Sequence, residues 1–299
     1  MAGVIQIERV GPLTTVQDAG RFGQLAHGIS ASGPMEAAAF RRAGLLAGSG
    51  DGAGIEFSML GLALVVSEGD IAVGWDGGMF DVQLNGVRQN WPGGAVLNAG
   101  DRLDISAGVR GNFGYLCFGG GVEVPAVLGS RSTSLRARIG GLGGQALTNG
   151  DELIISGGAL EPQVPAAVSG EEGPIRFIWG LHAEVFEPSL REKFVTSRFR
   201  VSSMMDRMGV RLRDEAGVFA DARILSLVSD PVVVGDIQIL GDGTPIVLGR
   251  DHQPTGGYPR IGTIASVDLD RFFQLRPNTE IAFSPIGLDH AQALLRSGT

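Results

Sequence analysis

The chain has 299 residues, a net charge of −8, 48 glycines, one cysteine and few aromatic residues. The negative charge argues against nucleic acid and anionic membrane surfaces as partners, no apolar run reaches the ~18–20 residues that span a bilayer, and one cysteine excludes an internal disulfide framework. A glycine-rich, Val/Ile-rich text with few helical periods predicts many short strands joined by tight turns.

The start has no basic n-region and no long apolar core, so it does not read as a signal peptide, and the cytoplasm is the expected compartment. A strand is expected over Val4–Val10, followed by the polar loop Thr14–Arg21. There Asp18 and Arg21 stand three apart, and a turn stapled by an Asp–Arg pair is the plain reading. Ser32-Gly33-Pro34-Met35-Glu36 predicts a helix start: Ser32 as cap, Pro34 at the first helical position, Glu36 near N3. Ala37 to Ala47 continues that helix and Gly48 stops it. Free N–H groups at such a start suit an anion.

Gly100-Asp101-x-Leu103-x-Ile105 recurs as Gly150-Asp151-x-Leu153-x-Ile155, which predicts two like turns feeding alternating strands. Cys117 falls in the apolar strand Gly114–Phe118 and reads as a buried thiol. Gly129-Ser130-Arg131-Ser132-Thr133 places one arginine among hydroxyls, either an anion cradle or a polar hairpin tip. The stretch 157–174 is rich in Pro, Gly and acid and has no period. It sets the expected boundary between a β-rich domain at 1–160 and a second β domain at 173–299.

The second half predicts a strand at Ile175–Trp179, a short helix at Ser189–Phe194, a strand at Pro245–Gly249, another at Ile261–Val267, and helices near Leu269–Leu275 and Leu288–Arg296. The last has Leu288, Ala291, Leu294 and Leu295 on one face. Asp206-Arg207 lies among methionines, where an unsatisfied charge is costly; this predicts a buried, oriented pair. The richest polar loop is Asp251-His252-Gln253-Pro254-Thr255-Gly256-Gly257-Tyr258-Pro259, which carries more chemistry than a hairpin turn needs. No His/Cys/carboxylate spacing matches a metal site. Lys193, the one lysine, leaves no P-loop, no Schiff-base lysine and no biotinyl-lysine motif.

Five motifs in order resemble one family. They are Thr14-Thr15-Val16-Gln17-Asp18-x-Gly20-Arg21, Ser32-Gly33-x-Met35, Gly129-Ser130-Arg131-Ser132-Thr133, Asp206-Arg207-Met208-Gly209-x-Arg211-Leu212 and Thr255-Gly256-Gly257-Tyr258-Pro259. The family is the biotin-dependent carboxyltransferase subdomain, also called allophanate hydrolase subunit 2. Its members include the C component of bacterial 5-oxoprolinase and the antagonist of a sporulation-kinase inhibitor. The sequence departs from the family's usual residues at Glu36, at His252-Gln253-Pro254-Thr255, and at Met205 and Val210.

The resemblance implies a mainly β fold of two cyclophilin-like β-barrel domains with a few short helices. It implies a partner of the subunit-1 type, like the B component of 5-oxoprolinase, and a further partner like its A component. For activity it implies ATP-dependent opening of 5-oxoproline, with ATP acting through the complex. The alternatives are a carboxyltransferase half-site that uses carboxybiotin from another chain and a urea-like acceptor, and a non-catalytic regulator of the subunit-1 homologue. The expected catalytic residues are Asp251, His252 and Arg207. The expected substrate-binding residues are Gln17, Asp18, Arg21, Ser32, Met35, Arg131, Ser132, Thr133, Asp206, Gln253, Thr255, Gly256, Gly257 and Tyr258.

Overall fold

Strands dominate the chain, and contacts gather it into two units: residues 1–23 with 31–168, and residues 24–30 with 169–299. The computed structural model describes residues 2–157, 161–165, 172–220 and 227–297. Parts of the expected 157–174 linker, residues 158–160 and 166–171, lie outside the described residues.

The first unit contains β1 (Gly3–Val10), β2 (Thr15–Gln17), helix α1 (Ala37–Ala47), β3 (Gly54–Ser58), β4 (Leu62–Glu68), β5 (Ile71–Leu84), β6 (Val87–Arg88), β7 (Gly93–Leu97), β8 (Arg102–Phe118) and β9 (Glu152–Ile155). Their sheet runs β2-β3-β8-β4-β1-β9, and β5 joins it through β8. The long strand β8 organises it. Residues 102–105 pair with β4 on one side and residues 113–116 with β3, while β5 follows β8 along the other. Alternation drives the burial: Ile5 and Ile7 are inside and Gln6 and Glu8 outside. The two Gly-Asp turns are built alike. Gly100 N donates to Val66 O at 2.8 Å and Gly150 N to Ile7 O at 2.7 Å. Asp101 and Asp151 each accept the N–H three residues back, Asn98 and Thr148, at 2.7 Å. Cys117 is fully buried in β8, and burial pushes its thiol pKa up.

α1 docks on β5 at Gly74, where an added Cβ would lie 2.3 Å from Ala43 O and 2.6 Å from Ala47 N. Ala39, Ala43, Gly44 and Ala47 form the buried side of the helix. Small residues on both elements permit this close approach. The helix begins later than the Ser32–Glu36 pattern predicts. Its N-cap is Glu36, with no side-chain cap bond. Ser32 and Gly33 have φ of 55° and 80°, left-handed values that no helical turn accommodates.

The second unit contains β10 (Ile175–Trp179), α2 (Pro188–Thr196), β11 (Phe199–Met205), β12 (Gly209–Arg213), β13 (Asp230–Pro231), β14 (Asp236–Ile239), β15 (Pro245–Leu248), β16 (Thr255–Gly256), β17 (Arg260–Ile264), α3 (Ser266–Phe273), β18 (Glu280–Ile281), β19 (Phe283–Pro285) and α4 (Leu288–Ser297). Its main sheet has the order β18-β11-β12-β15-β14-β17-β10-β19, and β13 and β16 form a separate two-stranded ladder. Phe194 of α2 stacks on Phe283 at 5.0 Å and packs against Phe177 and Phe199, each at 5.4 Å. These rings form the core under α2.

The strand expected over Ile261–Val267 stops at Ile264, and Ser266 opens α3 instead. The third residue of that helix, Asp268, explains the break. Its carboxylate accepts Arg176 N at 2.7 Å, Arg176 Nη2 at 2.6 Å and Arg271 Nη2 at 3.0 Å, tying α3 to β10. Burial opposes ionisation of Asp268, and these bonds and charges outweigh it, holding its pKa below the usual carboxylate value. α4 forms where its period predicts, yet none of its described side chains is buried; Leu288 and Leu295 are exposed. No described helix is long and apolar enough to cross a membrane.

Candidate functional site

The first unit draws three distant segments together. Arg21 N donates to Ala31 O at 2.6 Å, and Thr133 N donates to Val16 O at 2.9 Å. A Cβ on Gly33 would sit 3.0 Å from Ala19 O, so glycine lets the 31–33 segment lie against 19–20. Asp18 is the hub. Its Oδ1 accepts Ser130 Oγ and Ser132 Oγ, both at 2.6 Å, and Gly20 N at 3.0 Å; its Oδ2 accepts Arg131 N at 2.6 Å. Burial alone would raise the Asp18 pKa, but these four bonds hold it below the usual value.

Arg21 is 1% exposed and works elsewhere than the expected Asp–Arg staple. Its Nε donates to Val127 O at 2.8 Å and its Nη2 to Ser130 O at 3.2 Å and Ser132 O at 2.9 Å. Asp18 and Arg21 therefore shape the same 127–133 loop from its donor side and its carbonyl side. Gln17 Nε2 donates to Thr15 Oγ1 at 2.9 Å and Thr133 O at 3.2 Å, while Thr133 Oγ1 donates to Val16 O at 2.9 Å. Arg131 is exposed, and its Nε donates to Val124 O at 3.1 Å.

At the helix entry, Met35 is fully buried and its N–H donates to Glu56 Oε2 at 2.7 Å, while Glu36 N donates to Tyr115 Oη at 2.7 Å. The chain thus supplies its own acceptor, the Glu56 side chain, beside the start of α1, a role that reading α1 in isolation missed. Ser32 is 3% exposed, and its Oγ has no hydrogen-bond partner.

The second unit brings the other two motifs together. Arg207 Nε donates to Asp251 Oδ2 at 2.9 Å and Nη2 to Asp251 Oδ1 at 3.3 Å; both side chains are nearly excluded from solvent, at 2% and 3%. Asp251 N donates to Arg207 O at 2.8 Å, closing the pairing through the backbone. The buried pair expected between Asp206 and Arg207 is thus Arg207–Asp251. Asp206 is exposed and holds the β11–β12 turn, its Oδ1 accepting Met208 N at 2.7 Å and Gly209 N at 3.1 Å. The methionines do not enclose it: Met204 is 57% exposed. The expected cluster fails because the turn between β11 and β12 leaves Asp206 in solvent while Arg207 is buried against Asp251.

His252 is buried, and its Nδ1 lies 2.7 Å from Gln253 O. A carbonyl oxygen only accepts, so Nδ1 is the donor in that contact. Beyond it, Thr255 and Gly256 pair with Pro231 and Asp230 in the β13–β16 ladder, and Gly257 O accepts Leu227 N at 2.6 Å. Thr255 and Tyr258 are exposed.

The family described as carboxyltransferase domain, subdomain A and B, matches residues 27–285. The C component of 5-oxoprolinase from Escherichia coli is 34% identical over 96% of this chain and 93% of its own. That of Haemophilus influenzae is 31% identical over 98% of this chain and 94% of its own. The crystal structure of the urea amidolyase of K. lactis superposes with a TM-score of 0.85 at 26% identity, covering 98% of this chain but 19% of that one.

Proposed function

This chain belongs to the carboxyltransferase-domain family, subdomains A and B, and from that membership we propose that it is the C-type component of a multi-component 5-oxoprolinase. The observation that carries the reading is correspondence from end to end: named C components match this chain over nearly the whole of both partners. The reaction opens the lactam of 5-oxoproline to glutamate. Such an assembly belongs in the cytoplasm, where this chain works with a B-type partner, the subunit-1 protein, and an A-type partner.

ATP supplies the driving force for opening the amide. This chain's residues do not fit a nucleotide phosphate site of the P-loop kind: its one lysine, Lys193, is exposed on α2 and follows no glycine-rich loop. We assign nucleotide binding to the partners. The first unit offers Arg131, an exposed residue whose guanidinium suits a carboxylate or phosphate, on a loop fixed by Asp18 and Arg21. The second offers His252, buried and next in sequence to Asp251 of the Arg207–Asp251 pair, as the candidate proton-moving group. Arg207 and Asp251 neutralise each other and position the 251–252 backbone. The Gly256-Gly257 backbone remains the candidate for holding a developing oxyanion.

A second reading, a carboxyltransferase half-site taking CO₂ from carboxybiotin on another chain to a urea-like acceptor, is supported by the likeness to the urea amidolyase structure. Co-expression with the A-type and B-type partners tests both. A co-eluting complex that releases glutamate from 5-oxoproline only with ATP supports the first reading. Biotin-dependent carboxylation of urea by the complex, with no glutamate formed, replaces it with the second.

A further inference from the structure

In the second unit, β14 alternates between core and cover. Ile237 and Ile239 are fully buried, and by the period of two Asp236 and Gln238 face the opposite side. Each of these polar residues is nevertheless only 1% exposed. The β13–β16 ladder accounts for that at Gln238, because a Cβ on Gly256 would lie 2.5 Å from Gln238 Nε2 and 3.3 Å from Val232 Cγ1.

The charges around Gln238 are already matched. Arg260 Nη1 donates to Pro231 O at 2.9 Å and Asp236 Oδ2 at 3.3 Å, and its Nη2 pairs with Asp230. Asp236 also accepts Thr263 Oγ1 at 2.7 Å and Val233 N at 2.9 Å. His182 Nδ1 accepts Arg260 N at 3.3 Å, and its Nε2 lies 3.8 Å from Asp230. Gln238 is the exception: its Nε2 is buried and has no hydrogen-bond partner. A buried donor left unmade is costly, and few survive in folded proteins without a use.

The surroundings select the ligand. One guanidinium answered by two carboxylates offers no surplus positive charge, so an anion is disfavoured. A carboxamide presents a donor and an acceptor side by side, the complement of a –CO–NH– edge. We infer that Gln238, under Gly256, reads the –CO–NH– edge of a lactam, urea or ureido ring through a pair of hydrogen bonds. This deepens the functional reading above and rests on it for the choice of 5-oxoproline as first probe.

The test uses the full chain in complex with its co-expressed partners, with 5-oxoproline, urea and biotin as probes in calorimetry and a melting temperature for every variant. Gln238→Met keeps the length and removes both hydrogen-bonding groups. Gly256→Ala keeps Gln238 and pushes a methyl onto its amide, displacing a flexible side-chain end rather than backbone. At least one probe is expected to bind the wild type and to lose about tenfold or more in affinity in both variants. The Gln238→Met melting temperature should stay level or rise, since an unpaired buried polar group has been removed. An amide that only supports the fold would give the reverse, a lower melting temperature and unchanged affinity, and would overturn the inference, as would a wild type that binds none of the probes. Turnover of 5-oxoproline with unchanged KM in both variants overturns the Gln238 site and leaves the oxoprolinase reading standing. Gln238-dependent binding of urea or biotin, with no turnover of 5-oxoproline, upholds the site and overturns that reading.

Discussion

Two arginines in the same chain answer to opposite tests. Arg131 is exposed and Arg207 is buried against Asp251. Lysine cannot copy a planar fork. Arg131→Lys should melt as the wild type does and lose about tenfold in kcat/KM if its guanidinium holds an anionic group of the substrate. Arg207→Lys should lower the melting temperature while the folded fraction keeps its turnover. Measuring both quantities on one preparation separates the roles, and unchanged turnover in Arg131→Lys would remove that residue from the mechanism. Asp18 gives a pH test. Its pKa is lowered in the fold, so its contribution is complete above the unfolded value of about 3.9 and is lost as pH falls through the lower folded value. Asp18→Asn should cost about 1–3 kcal/mol at pH 7, because hydroxyl and amide donors lose their anion. Its stability should also fall less steeply than wild type below about pH 4. Parallel acid-unfolding curves for the two proteins would contradict this.

At the scale of elements, local signals were readable where alternation or a turn residue decided the outcome. The Gly-Asp turns, β1, β10 and the end of α1 at Gly48 follow directly from period and punctuation. What could not be read came from partners remote in sequence. Ser32 looks like a cap, but Glu56, 21 residues from Met35, takes the Met35 N–H, and the chain enters α1 through left-handed residues instead. Asp206 looks like the partner of Arg207 because it is adjacent, yet Asp251 is 44 residues away. Gln238 sits between two isoleucines of β14, and the ladder carrying Gly256, 18 residues on, covers it. The α1–β5 junction offers an element-level test. Gly74→Val places a branched side chain where Ala43 O and Ala47 N already stand. It should destabilise the first unit by about 1–3 kcal/mol or more, read as a lower urea midpoint. An unchanged midpoint would mean that the helix can move away from the strand at no cost.

At the scale of the whole molecule, glycine-rich, Val/Ile-rich composition pointed to a mainly β chain, and the sheets meet that expectation. Five motifs that were each weak in isolation fell into two groups, one per unit: Gln17–Arg21 with Ser32–Met35 and Ser130–Thr133, and Arg207 with Asp251 and the 252–258 loop. The grouping was not legible beforehand because it depends on which strands neighbour one another, a long-range property that spacing along the chain does not encode.

Residues 24–30 belong to the second unit although both flanking segments belong to the first. The backbone therefore passes between the units three times rather than once. A protease cut confined to the stretch between residues 165 and 172 would not release two independent halves. The amino-terminal fragment would still carry a piece of its neighbour's fold, and a carboxy-terminal fragment expressed alone would lack it. Complementation between separately produced fragments should thus depend on that short insert, and a circularly permuted gene would have to keep it in place to yield a whole second unit.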